Sequence, residues 1–235
     1  MNKSIQKMFE PLAGRYELVN HVVTFGLDTV WRRKAARIAA RDAGSRSHVW
    51  LDVSTGTGEM ADLLTRQANP GTPVLASDFS LPMLRPATRK KGARAGRMLL
   101  LAADDPQLPF RDASLDLVTI SLGTRNLNTS RDALVSCFRE FHRVLKPGGK
   151  FVNLETSQPL SRAVRTLFHG YVRGFVRPVA SALSRDHGAY TYLASSMRSF
   201  YEAKELAVIM QEAGFARVEI TGLLLGVAAV HVAEK

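Results

Sequence analysis

The sequence predicts an α/β fold: a mainly parallel, doubly wound, seven-stranded sheet finished by an antiparallel C-terminal hairpin. Three observations predict it. Short apolar runs alternate with amphipathic helical stretches between residues 48 and 157, the pattern of βαβ units. The first run, "HVWLDV", passes through "STGTGEM", with two glycines one residue apart, straight into an amphipathic segment. The last two apolar runs, "ARVEITGL" and "GVAAVHVAE", lie too close together to hold a helix between them and must pair antiparallel.

Each element has its own signal. Residues 1–46 read as an N-terminal helical lid, polar and amphipathic, broken near Gly14 and Gly26. In the core, 47–157, strands are expected at 48–53, 72–78, 97–104, 115–121 and 150–156. A helix is expected at 58–67, another beginning at Ser80 as its N-cap, and a third over 130–145, stopped by "KPGG". Residues 158–198 interrupt the rhythm with a mostly helical insertion that caps the substrate side. Residues 199–235 resume it with a helix over 202–213 and the hairpin. The whole of 1–235 reads as a single domain.

Composition narrows the class. With 46% hydrophobic and 23% charged residues, the 235-residue chain is an ordinary globular protein. No apolar run reaches the roughly 20 residues that span a bilayer, and "MNKSIQKMFEPLAGRY" lacks the apolar core of a secretory signal. One cysteine, Cys137, allows no internal disulfide and suits a reducing cytoplasm. The net charge of +11 suits a negatively charged partner: nucleic acid, an anionic membrane surface or an acidic substrate.

A doubly wound sheet binds ligands at the carboxyl ends of its strands, beside the first strand. The turn 53–58 lies there, and Gly56 and Gly58 let backbone approach a ligand closely. Gly56, Gly58 and Ala61 fit a dinucleotide fingerprint loosely. The acids argue for a different ligand. Asp52 precedes the glycines, where it repels a pyrophosphate and welcomes a cationic amino-acid moiety. Asp78 ends the second strand, placed for two ribose hydroxyls, and Asp104 and Asp105 follow the third, near where an adenine amino group is read. A site this acidic, with no lysine in its glycine loop, is poor for phosphates. It suits S-adenosylmethionine, which carries a sulfonium, an ammonium, a ribose and an adenine.

These residues sit in recognisable company. "RVLKPGGKFVNLETS" (143–157) matches a signature segment of the ubiquinone/menaquinone biosynthesis C-methyltransferases, and the chain resembles that family over nearly its whole length. "YELVNHVVTFGLDTVW" (16–31) is similar to the other signature: Tyr16, Asn20 and Trp31 stand in place, while Glu17, Val19, Thr24 and Asp28 replace the usual aspartate, methionine, serine and histidine. "ISLGTRNL" (120–127), "SDFSLPML" (77–84) and "LPF" (108–110) also fit. The resemblance implies a Rossmann-like class I S-adenosylmethionine-dependent methyltransferase. It implies Thr57, Asp78, Asp104, Asp105 and Ser121 as cofactor contacts, with Asp104, Asp105 and Pro106 standing where the family has asparagine, alanine and glutamate. The implied reaction is methylation of a ring carbon of a prenylated quinol, of demethylmenaquinol type or related, in quinone biosynthesis.

Methyl transfer to a ring carbon needs an aligned acceptor, exclusion of water, and a neighbouring hydroxyl that gives up its proton. Arg125 and Asn126, just past the fourth strand, are expected to orient the ring oxygen, with Arg125 lowering its pKa; Tyr16 is a further catalytic candidate. Asn20, Phe168 and Tyr171 are the expected substrate contacts, and no metal site is expected. His169 and Glu155 could act as bases, although structural roles serve both as well. Over 162–179, Val164, Leu167, Phe168, Tyr171, Val172, Phe175, Val176 and Val179 recur at helical spacing. Arg162, Arg165, Arg173 and Arg177 lie beside them, with no acid from 156 to 185. That segment is either a core helix with a wet basic side or a helix against an anionic membrane. The expected partners are thus a hydrophobic quinol-type molecule and such a membrane, with a second copy of the chain left open. Three other readings compete: a methyltransferase for another small aromatic, polyketide or lipid acceptor; a nucleic-acid-binding protein; and a nicotinamide dehydrogenase. The aromatics cluster at helix-core spacing instead of on a stacking surface, against nucleic acid, and Asp52 opposes a dinucleotide.

Overall fold

A computed structural model describes residues 16–41, 49–104, 106–184 and 187–235. Among the described residues two lid helices come first, α1 (Tyr16–Val23) and α2 (Leu27–Ala39), parted at Gly26, whose φ of 77° is left-handed. Strand β1 (Trp50–Val53) leads through the glycine turn into α3 (Glu59–Gln67). Next come β2 (Val74–Asp78), α4 (Leu81–Ala87), the short α5 (Lys91–Arg94) and β3 (Met98–Ala102). Strand β4 (Leu115–Ser121), α6 (Thr124–Leu127), α7 (Arg131–Val144) and β5 (Leu145–Thr156) complete the parallel part.

The sheet has seven strands in the order β3-β2-β1-β4-β5-β7-β6. The first five run parallel, and β6 (Arg217–Leu223) and β7 (Ala228–Glu234) form the antiparallel end. The order reverses between β1 and β4, so their carboxyl ends diverge there and leave a crevice. Alternation along β1 divides the core. Leu51 and Val53 join one cluster with Phe138, Phe141 and Phe151, while Trp50 joins another with Trp31, Met60 and Leu64.

Two expected features differ in detail. Ser80 precedes α4, but its hydroxyl makes no cap bond; the Asp78 carboxylate accepts from the Ser80 amide instead, at 2.9 Å. Helix α7 ends at Val144, before "KPGG", and β5 starts at once: Leu145 already pairs with Leu115. Gly148, with φ 75°, bulges within the strand, and its amide bonds the Lys235 carbonyl at 2.9 Å.

The insertion is helical as expected: α8 (Arg162–Tyr171), a π-helical stretch (Val172–Val176), α9 (Arg177–Ser184) and α10 (His187–Ser199). Helix α11 (Ala203–Glu212) then leads to β6. The buried residues Phe168, Val172, Val176 and Ala180 recur every four positions, which a 3.6-residue helix would rotate off the face. The wider π turn keeps them aligned, packed against Val19 and Val23 of α1 and Ala194 and Met197 of α10. No helix among the described residues is long and apolar enough to cross a membrane.

Candidate functional site

A cavity of about 310 Å³ opens at the carboxyl ends of β1, β2 and β4, roofed by α1 and α2. The turn after β1 shapes it. The Thr55 amide donates to the Ser77 carbonyl at 2.9 Å, and the Gly56 amide donates to the Asp78 carboxylate at 2.8 Å, so the turn is tied to β2. Thr55 and Thr57 line the cavity, while Gly56 and Gly58 form the bend behind them. Gly58 is required twice: its φ is 81°, and a Cβ there would come within 2.8 Å of the Ala87 Cβ, so α3 and α4 could not pack as they do. Ser54 and Leu122, which follow β1 and β4, are also left-handed, with φ of 47° and 57°, and both line the cavity. Such strain concentrates where a loop is held for a ligand.

The lining is acidic. Glu17, Asp28, Asp52, Glu59 and Asp78 face a single arginine, Arg32, among the described lining residues. Asp52 is fully buried, which pushes its pKa up to about 6, although hydroxyls of Thr119 and Thr55, each at 2.6 Å, and the charge of Arg32 pull the other way. Burial also raises Asp78, against the amides of Ser80 and Gly56. For Glu17 burial is outweighed by hydrogen bonds from Thr57 and Lys90, and the net shift is downward. This donor set suits a ligand that is cationic and donates hydrogen bonds, and disfavours a phosphate.

The lid is wired to the core by charge. Lys90 bonds both Glu17 of α1 and Glu59 of α3. Arg32 of α2 pairs with Asp28 and donates from Nε to Ser121 Oγ at 3.0 Å. His21 Nδ1 lies 3.3 Å from the second Asp28 oxygen.

A second cavity, of about 320 Å³, lies between the lid and the insertion. Its lining is almost wholly apolar and includes Val23, Phe25, Leu27, Trp31, Val164, Leu167, Phe168, Tyr171, Leu224, Leu225 and Val227. Phe25 stacks on Phe175 with centroids 5.2 Å apart, Phe175 stacks on Tyr171 at 5.3 Å, and the Tyr171 hydroxyl donates to the Val23 carbonyl. Residues 23–32 divide the two cavities. Asp28, Thr29 and Arg32 face the polar one, and Phe25, Leu27 and Trp31 the apolar one.

The structure gathers Asp52, Thr57, Asp78, Ser121, Asn126 and Asn20 around the polar cavity, and Phe168 and Tyr171 around the apolar one. Arg125 lines neither. It is buried, its Nε donates to Glu155 Oε1 at 2.8 Å, and its Nη1 is buried without a partner. Asp104 is exposed beyond β3, where its carbonyl accepts from the Gln107 amide at 3.0 Å. Asp105 lies outside the described residues; Tyr16 begins α1, but its side chain lies outside them too. His169 bonds Gln158 at 2.8 Å and lines neither cavity. Sequence reasoning gave no role to His21, Arg32 or Lys90 and noted Asp28 only as a departure. Asp28 and Arg32 stand four apart on α2, which is the one signal of their pairing in the sequence, and Lys90, in the turn after α4, carried none.

A model of the ubiE/COQ5 methyltransferase family matches residues 1–235. The chain is 39% identical over 229 residues to the demethylmenaquinone methyltransferase of Thermus thermophilus, covering 97% of this chain and all of that one. It is 32% identical over 231 residues to the ubiquinone/menaquinone biosynthesis C-methyltransferase UbiE of Pseudomonas putida, covering 97% and 88%. Among solved structures, it is similar to a methyltransferase from Thermotoga maritima described as S-adenosylmethionine-dependent, with a TM-score of 0.63, 17% identity and coverage of 98% and 99%.

Proposed function

The chain belongs to the ubiE/COQ5 methyltransferase family, and from that premise we propose that it methylates a ring carbon of a prenylated quinol in quinone biosynthesis. The observation that carries the reading is the pair of cavities on either side of residues 23–32, one acidic and one apolar. The first suits a cationic methyl donor, and the second suits the tail of an amphipathic acceptor.

S-adenosylmethionine supplies an electrophilic methyl group on a sulfonium. Toward it, Asp78 accepts from the ribose hydroxyls. Asp52, with Thr57 and Ser121, faces the amino-acid end, and the turn through Gly56 and Gly58 holds that wall. Asp104 and Asp105 remain proposed contacts for the adenine, on the sequence resemblance alone. Toward the acceptor, Asn126 and Asn20 offer amides at the polar cavity for a ring oxygen. Arg125 acts from behind: with its charge balanced by Glu155, it fixes the start of α6, on which Asn126 sits. Tyr16 serves the same lid. Phe168 and Tyr171 flank the isoprenoid tail, so residues 1–46 work as a lid and 158–198 as a cap on one catalytic unit.

The rim of the apolar cavity supports a membrane-facing role. Phe25, Leu167, Leu224 and Leu225 are exposed there, Leu225 to 79%. Arg162, Arg173 and Arg177 are exposed on the adjoining insertion, and Arg165 is held by Glu202. An apolar rim beside cations that pair with no described residue suits an anionic bilayer and lets a lipid-soluble quinol pass directly into the cavity. The experiment is mass spectrometry of the quinones in a strain lacking this chain. The reading predicts a pool short by one methyl group, restored by the wild-type chain; an unchanged pool refutes it.

A further inference from the structure

We propose that His21, oriented by Asp28, accepts the proton of the acceptor's ring hydroxyl; this rests on the quinol reading above. The two Asp28 oxygens are divided. Arg32 holds one, while Thr24 Oγ1, at 3.0 Å, and His21 Nδ1, at 3.3 Å, meet the other. Asp28 is buried, and a carboxylate can only accept, so this contact favours the tautomer with its proton on Nδ1 and its lone pair on Nε2. Nε2 has no hydrogen-bond partner among the described residues. The ring also rests against bare backbone: a Cβ at Gly26 would lie 3.1 Å from its Cε1. His21 is therefore fixed on one side by a carboxylate and on another by a glycine, yet its side chain is 59% exposed on the wall of the polar cavity.

Its place in the lid matches the chemistry. His21 lines the acidic cavity two residues before Val23, which lines the apolar one, and Thr24 of the apolar lining bonds Asp28 of the polar lining. A quinol with its tail in the second cavity brings its ring to this boundary. The hydroxyl proton passes to His21 Nε2, and the oxygen's electrons make the adjacent ring carbon nucleophilic. That carbon forms the new C–CH₃ bond as the sulfur–methyl bond breaks and its electrons stay on sulfur. The ring-carbon proton then leaves to solvent, which restores the aromatic ring as a quinolate, and His21 Nε2 returns its proton to the oxygen to give the quinol. Asp28 stabilises the imidazolium formed in the first step, as an orienting carboxylate does elsewhere. Glu17, Asp28, Arg32, Asp52, Glu59 and Asp78 border the same cavity, and of these charged groups only Asp28 lies within ion-pair distance of the ring among the described residues.

The test is a spectrophotometric titration of 1-naphthol bound to the protein loaded with S-adenosylhomocysteine, reading naphtholate absorbance against pH. Wild type should hold the naphtholate at a pH at least one unit below that of free naphthol. His21→Gln and His21→Ala should bind the probe with its titration returned to the free value. Their turnover on a short-tailed quinol should fall roughly 10²–10⁴-fold in kcat with little change in KM. Asp28→Asn should lose part of the shift. If naphthol binds and its shift survives in both His21 variants, the assignment is wrong while the quinol reading stands. If wild type neither binds naphthol nor methylates a quinol, both fall together.

Discussion

The amide of Gly56 and the carboxylate of Asp78 meet at 2.8 Å, joining the turn after β1 to the end of β2. One acid thus shapes the donor site and faces into it. Asp78→Ala removes the charged acceptor proposed for the ribose, and a hydrogen bond to a charged group contributes about 1.5–3 kcal/mol. Calorimetric titration with S-adenosylhomocysteine should show binding at least about tenfold weaker. Unchanged affinity in a folded variant would remove Asp78 from the donor site.

The place proposed for Asp52 beside the donor predicts that donor binding depends on pH. Its pKa of about 6 in the folded chain lies above the ordinary carboxylate value, so between the two the folded protein holds the proton more tightly than the unfolded chain. The resulting stability is present below the ordinary value and lost as pH rises through about 6. A cation beside Asp52 favours the carboxylate. Affinity for S-adenosylmethionine should therefore rise from pH 5 to 7, with proton release visible when calorimetry is repeated in buffers of different ionisation enthalpy. Asp52→Asn should flatten that dependence; a flat profile in wild type would contradict it.

Arg125 and Glu155 form a buried pair, with the Glu155 carboxylate also accepting from the Arg125 and Thr156 amides. Arg125→Ala leaves a buried charge behind, and breaking such a pair costs about 3–5 kcal/mol. Denaturant titration should show that loss, and Arg125→Met with Glu155→Leu should recover much of it. A single variant as stable as wild type would show that the pair holds nothing in place.

The rim of the apolar cavity gives a surface prediction. Leu224→Ser with Leu225→Ser should lower sedimentation with anionic vesicles at any salt. Arg162, Arg173 and Arg177 to glutamine should lower it at low salt only, because each basic residue contributes about 1 kcal/mol at an anionic surface and salt screens it. Both sets should keep activity on a soluble, short-tailed quinol. Equal pelleting of wild type and variants would leave the arginines as a solvated surface.

How far the sequence reached depends on the range of the force involved. Strand β4 was legible to the residue because five of its seven residues are buried in a parallel sheet, and four of those five are apolar. The positions of Asp52 and Asp78 followed from strand ends alone. Arg125 was harder: its spacing placed it past β4 correctly, but its partner Glu155 lies 30 residues on, and only the β4–β5 pairing brings them together. Residues 162–179 of the insertion read as one amphipathic helix, and their period-four face hid a π turn. Beyond the four-residue spacing of Asp28 and Arg32, the lid residues His21, Asp28 and Arg32 carry no pattern of their own; their roles come from the lid closing over strands that follow them in the chain.

Carbon methylation of a quinol ring is measured directly with purified protein, carbon-13 methyl-labelled S-adenosylmethionine and a reduced, short-tailed demethylmenaquinone. The labelled product is read by carbon NMR. One label is expected at an aryl-methyl shift, with S-adenosylhomocysteine formed in equal amount. A label at a methoxy shift, or donor consumed without a labelled quinol, would contradict it.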